Sequence, residues 1–231
     1  MEPMTTSPPL TSRLPDTLLR HLARVTGDDK HDPAARSTLD VLWVLHEHVL
    51  QLAPWESRDR FLLSKGHGPA SYYAVLATQG LIPESWLDDL AGFGSPLGHH
   101  PDRLLIPPVE ISSGSLGHGL PIAVGLARGL EVARATGRVF VLLGDAELDE
   151  GSNHEAIAVA GRWSLGNLHA IVVDNDSASL GWPGGIGARF TGEGWTSTDV
   201  AGSDHDAIRR SLSAAGDRPH VTVVRTERKG S

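Results

Sequence analysis

The stretch Leu142–Asn175, LLGDAELDEGSNHEAIAVAGRWSLGNLHAIVVDN, decides the fold. The apolar run Val139–Leu143 stops at Gly144-Asp145, a helix-like stretch follows, and a second apolar run, Ala170–Val173, stops at Asp174-Asn175. A strand, a crossover helix and a second strand make one βαβ unit, whose strands must be parallel. Parallel neighbours end on the same edge of a sheet, and open α/β sheets bind their ligands at that edge. Asp145 and Asn175 are therefore expected to meet there. A carboxylate and an amide oxygen suit a hard cation such as Mg²⁺, which also takes phosphate oxygens and water. Such a set can hold a diphosphate. An ordinary buried βαβ unit with polar strand ends is the plainer alternative.

Working outward, apolar periodicity predicts helices over residues 15–26 and 36–53, a short buried strand at Phe61–Leu63, and a helix at Pro69–Gln79 stopped by Gly80. Leu116–Ala135 reads as a helix of small residues that can pack closely against its neighbours. Asp204–Ala215 reads as a helix and His220–Thr226 as a last strand. Residues 178–198, rich in Gly, Trp and Thr, yield no assignment. Residues 1–13 are rich in Pro, Ser and Thr and are expected to form a disordered arm before one domain over residues 14–231.

Composition narrows the function. The 231 residues suffice for one well-buried core. With net charge −8 and scattered basic residues, nucleic-acid binding is not expected. There is no cysteine, which excludes disulfides and thiolate chemistry. The first residues, MEPMTTSPPLTSR, lack the apolar stretch of a signal peptide, and no apolar run approaches the roughly 20 residues that cross a bilayer. A cytoplasmic location without membrane contact is the expectation.

Four stretches together resemble the transketolase family. GDAELDEG with the distal Asn175 resembles the thiamine-diphosphate motif GDG…N, with Ala146 in place of the second glycine. RDRFLLSKGHGPASYYAVLATQGLI (Arg58–Ile82), LGHHPDRLLIPPVEISSGSLGHGLPIAVGLA (Leu97–Ala127) and HDPAARSTLDVLWVLHEHVL (His31–Leu50) resemble further family motifs in matching order. The resemblance covers residues 15–177 well and the remainder weakly. It implies an α/β thiamine-diphosphate-binding fold, with a mostly parallel central sheet and helices on both faces.

The same resemblance implies roles by position. Mg²⁺ falls to Asp145, Asn175 and the carbonyl of Ser177; a slip of one residue would put Asp176 in the place of Asn175. The cofactor falls to His67, Gly114, Ser115, Leu116, Gly144, Asp145, Ala146, Glu147 and Asn175. His31, His67 and His100 would line the channel and handle protons near neutral pH. Glu150 would lie at a contact between subunits and link two cofactor sites; a favourable charge at a helix N-terminus is the plainer reading. Glu147 and Asp149 look like solvated neighbours, although Glu147 is near enough to touch the cofactor. Glycines in Ser112–Gly119 would let the backbone approach a flat ring. His118 reads as adjacent to the cofactor or structural, and His21, His46, His48, His154, His169, His205 and His220 as structural.

The family's site also needs a pyrimidine-binding domain with an activating glutamate, and this chain contains none. The resemblance therefore implies a split transketolase whose second half is a separate C-terminal subunit, in a heterodimer or a pair of heterodimers. The implied reaction moves a two-carbon ketol unit from a ketose to an aldehyde, with sugars or sugar phosphates as substrates. The stretch from Ser177 to Trp195 is shorter than in the family, and Lys30 replaces the glycine before His31. The shorter stretch favours a specialised substrate, and the change at Lys30 bears on the role carried over to His31. Three alternatives stay open. One is a related thiamine-diphosphate enzyme of 1-deoxyxylulose-synthase-like or 2-oxo acid dehydrogenase-like type, to which this chain would contribute one component. Another is a non-catalytic partner that kept the fold. More distant is a nucleotide-binding α/β protein, for which no glycine-rich fingerprint is present.

Overall fold

The strands β1 (Arg60–Leu63), β2 (Val139–Gly144), β3 (Leu168–Asp174), β4 (Thr196–Ala201) and β5 (His220–Arg225) form one sheet in the order β1-β2-β3-β5-β4, every pairing parallel. This is a computed structural model that describes residue 10 and residues 13–25, 32–66 and 69–226. The helices are α1 (Asp16–Arg24), α2 (Asp32–His48), α3 (Pro69–Thr78), α4 (Gly119–Val132), α5 (Gly151–Arg162), α6 (Gly185–Thr191) and α7 (His205–Leu212).

The central strands are apolar along their whole length because both faces are covered. Side chains of a strand alternate between faces. Phe140 and Leu142 of β2 join one core with α1, α2, α3 and α7, whereas Val139, Val141 and Leu143 join a second with α4, α5 and α6. Truncating one such side chain, as in Leu142→Ala, removes about 2–5 kcal/mol from a folded chain. The expected fold class is thus observed, with helices on both faces.

Local departures from the expected boundaries have physical causes. The second helix ends at His48, not at residue 53, because the chain turns to exchange bonds with Asp59: Gln51 N donates to its carboxylate at 3.1 Å and Asp59 N to the Gln51 carbonyl at 2.7 Å. Helix α4 begins at Gly119 rather than Leu116, since Gly117 takes a φ of 82° and Gly119 N is held by Ser64 Oγ at 3.1 Å. Helix α7 is capped by the Asp204 carboxylate, which accepts from Ala207 N at 2.9 Å. The unassigned residues 178–198 contain α6 and the start of β4. Of the expected arm, residues 1–9, 11 and 12 lie outside the described residues; Leu10 N donates to Asp206 on α7 at 3.0 Å. Among the described residues, no helix is long and apolar enough to cross a membrane.

Candidate functional site

The carboxyl ends of β1, β2 and β3 deliver Ser64, Gly144-Asp145 and Asp174-Asn175 to one edge. Register fixes this: Leu63 pairs with Leu142, and Gly144 with Val173. Asp145 N then donates to the Val173 carbonyl at 3.1 Å, so Asp145 is still anchored to the sheet when its side chain leaves it. Asp145 is 3% exposed. Its carboxylate accepts from Ser177 Oγ at 2.6 Å, Ser177 N at 2.6 Å and Ala178 N at 3.0 Å. A carboxylate offers about four lone-pair directions, so these donors leave room for a cation.

Asn175 is 4% exposed, and its amide oxygen Oδ1 is buried with no hydrogen-bond partner. A buried acceptor left unpaired is costly, and a metal or a donor ligand would relieve it. Asp176, the next residue, has a φ of 56°, a conformation that Asp and Asn tolerate better than other side chains. Asp145, Asp176 and Ala178 line one cleft of about 380 Å³, which also takes in His154, Trp182 and Arg189. Among the described residues, no three His, Asp or Glu side chains are grouped to hold a metal. A metal here must use an amide or backbone oxygen beside the carboxylates.

Glu147 corrects an expectation. It is no solvated neighbour but 2% exposed. Oε1 accepts from Ser64 Oγ in a short bond and from Gly117 N at 3.0 Å, while Oε2 is buried without a partner. Burial raises its carboxyl above the ordinary value, against the lowering effect of these donors. Glu147 thus ties the strand end of β1 and the glycine loop to the turn Ala146–Asp149. Asn153 Nδ2 secures the same turn through the Glu147 carbonyl at 2.6 Å. Asp149 is not merely solvated either: it accepts from Ser179 N at 3.1 Å and Leu180 N at 3.2 Å.

The loop Ser112–Gly119 folds over this edge. Gly114 has a φ of 113°, and a Cβ there would lie 2.8 Å from the His100 ring. His100 Nδ1 donates to the Gly66 carbonyl at 2.6 Å, and a Cβ on Gly66 would lie 3.1 Å from Gly114 Cα. His100, Gly114 and the backbone just before His67 are therefore one packed unit. Ser115 and His118 are exposed, and Leu116 is half-buried. Glu150 is exposed at the N-terminus of α5, where no side-chain cap is formed; its Cβ lies against Gly117. Gly144 is buried beside the Lys65 side chain, and Ala146 is half-buried in the turn that follows. His31 and His67 lie outside the described residues.

Three contributors escape a reading of the sequence. Ser64 and Lys65 are hidden in a strand end, with no signal beyond their place before Gly66. Arg189, 7% exposed, donates from Nη1 to the Leu148 carbonyl at 2.6 Å, and its guanidinium lies over the Trp182 ring. An arginine inside an otherwise small and apolar helix is the signal that could find it.

A parallel α/β sheet that brings acidic and amide strand ends under a glycine loop defines a diphosphate-binding type of domain. Residues 25–228 match the family described as "Transketolase, thiamine diphosphate binding domain", and the chain belongs to that family. It is 50% identical over 222 residues to "Ferredoxin fas2" of Rhodococcoides fascians, covering 94% of this chain and 73% of that protein. Cysteine thiolates hold iron–sulfur clusters, and this chain has none, so the shared stretch is not a cluster site. It is 34% identical over 211 residues to one subunit of an apulose-4-phosphate transketolase from Actinobacillus succinogenes, covering 85% of this chain and 75% of that one. A solved transketolase from Leishmania mexicana superposes with a TM-score of 0.75 at 26% identity. The match covers 91% of this chain but 35% of that structure, so the chain spans about a third of its length.

Proposed function

We propose that this chain is the diphosphate-binding subunit of a two-component transketolase, dependent on thiamine diphosphate and Mg²⁺. Its partner would be a separate C-terminal subunit carrying the pyrimidine-binding domain. Together they would move a two-carbon ketol unit from a ketose donor to an aldehyde acceptor, among sugars or sugar phosphates. The observation that carries this reading is the strand-end constellation of Asp145, the unpaired amide oxygen of Asn175 and the loop at Gly114. The relative from Actinobacillus succinogenes is named as one subunit of its enzyme, which supports the separate partner.

The residues present fit the cofactor. Orphaned oxygens on Asn175 and Glu147 lie at this edge, and glycines stand where side chains would collide. When bound, thiamine diphosphate supplies the carbanion that cleaves and forms the carbon–carbon bonds. Asp145 and Asn175, with the carbonyl of Ser177, would hold Mg²⁺ against the diphosphate. Gly114, Ser115, Leu116, Gly144 and Ala146 would present backbone and small surfaces to it, and Glu147 would fix their spacing. His31, His67 and His100 would bind hydroxyls and carry protons in the channel, and Glu150 would reach a neighbouring subunit.

One observation favours the neighbouring frame for the metal. Asp176 and Ala178 line the cleft with Asp145, whereas Asn175 is not among its lining residues. In that frame two carboxylates and the Ala178 carbonyl would hold the ion. Calorimetric titration of Mg²⁺ with thiamine diphosphate, on this chain mixed with its candidate partner subunit, separates the two. Asp145→Ala should abolish binding in either frame. A tenfold or greater loss in Asn175→Ala but not Asp176→Ala supports the first set, and the reverse supports the second. Unchanged affinity in Asp145→Ala sinks both.

A further inference from the structure

At the amino-terminal end of β1, away from the strand ends just described, an open pocket of about 300 Å³ indents the surface. That is at the lower limit of sites for small organic ligands. Its walls are largely apolar, with Leu50, Leu76, Leu81 and Phe61 among them. Trp55, 70% exposed, stands at its mouth.

Three polar groups converge on this space. His46 Nδ1 lies 2.9 Å from the Leu42 carbonyl, and a carbonyl only accepts, so the proton sits on Nδ1. Nε2 is then a lone-pair acceptor, and the bond on Nδ1 is the only hydrogen bond this ring makes among the described residues. Burial pushes the imidazole down to about 4, which keeps the ring neutral at physiological pH. The ring is held edge-on against Phe61 and tilted against Tyr72. Tyr72 is itself buried, and its burial keeps the phenol protonated. Arg58 lines the cavity with a buried Nε that has no partner, while its Nη1 pairs with Glu110. That pairing balances the charge at the rim, so the cavity does not select for an anion.

We propose that this cavity is a second ligand site, built for a compact, uncharged ring molecule that bears an N–H or hydroxyl group. The ring would fill the space between Leu76, Leu81 and Phe61, and its donor would meet His46 Nε2. Sugars and phosphates are the wrong chemistry for these walls. The site goes beyond the ketol-transfer reading and does not depend on it.

Indole and its isostere benzofuran, which replaces the N–H by an oxygen, are the probes. Saturation-transfer NMR on the full chain should show saturable binding of indole at least fivefold tighter than benzofuran. His46→Phe keeps a ring but removes the acceptor, and should erase that preference while both probes still bind. Leu81→Trp, at a partly exposed wall position, should weaken both at least tenfold with little change in Tm. The proposal is overturned if neither probe saturates, if Leu81→Trp leaves binding unchanged in a folded chain, or if His46→Phe keeps the preference for indole.

Discussion

Replacing Gly114 by Ala tests how tightly the glycine loop is built, and Gly80→Ala is its control. Gly80 has a φ of 67° and nothing within 4 Å of the place a Cβ would take, so alanine there meets only backbone strain. Left-handed strain costs about 1–2 kcal/mol for an L-residue. Loss of unfolded-state freedom offsets about 0.4–1 kcal/mol of it. Gly114 has a φ of 113°, and its Cβ would lie 2.8 Å from two carbons of the His100 ring. That ring is held by the Gly66 carbonyl and has little room to yield. Strain of about 1–3 kcal/mol is then joined by overpacking of about 1–3 kcal/mol. The expected net losses are about 0.5–1 kcal/mol for Gly80→Ala and about 2–4 kcal/mol for Gly114→Ala. At about 2–4 °C per kcal/mol for a chain of this length, circular-dichroism melts should separate the two by several degrees. His100→Ala in the Gly114→Ala background should recover the overpacking part, as a coupling of about 1–3 kcal/mol in a double-mutant cycle. Equal melts for the two glycine variants, with no coupling to His100, would refute the packed unit of Gly66, His100 and Gly114.

Ser64→Ala leaves the Glu147 carboxylate short of one donor and Gly119 N without its acceptor. It should cost about 2–3 kcal/mol, read as a loss of Tm, with weaker cofactor binding alongside. Glu147 predicts a pH dependence. Its carboxyl is raised by burial, so the folded chain holds the proton more firmly than the unfolded one, and stability declines as pH rises from 4.5 through the raised value. Melts across that window should lose this contribution in Glu147→Gln; an unchanged slope would place the effect elsewhere. Arg189→Met keeps the stem but removes the bond to the Leu148 carbonyl. It should loosen the Ala146–Asp149 turn and weaken Mg²⁺ binding more than it lowers Tm, as calorimetry and melting would show.

The strands that carry the site are readable in the sequence because they are apolar on both faces: β3, Leu168–Asp174, contains the apolar run Ala170–Val173 read from the sequence. β4 is not, for a physical reason. It is an edge strand of sequence TSTDVA in which only Val200 is buried, so it shows neither an apolar run nor alternation. Its pairing with β5 is supplied by backbone bonds and by the chain's return path through α7. At the site, the spacing from Asp145 to Asn175 is legible because register ties Gly144 to Val173. Glu147 is misread from local sequence, which places it among carboxylates, whereas its burial comes from Ser64 and Gly117, far away in the chain. Arg189 is the same kind of case: its partner Leu148 lies on a turn 41 residues earlier.

The most direct measurement is calorimetry of thiamine diphosphate with Mg²⁺, on this chain alone and mixed with a candidate pyrimidine-domain partner. Tight binding is expected in the mixture, weak or no binding by the chain alone, and loss of the mixture's binding in Asp145→Ala. A folded chain in a verified complex that binds no thiamine diphosphate would contradict the proposed function, and would leave a non-catalytic partner that kept the transketolase fold.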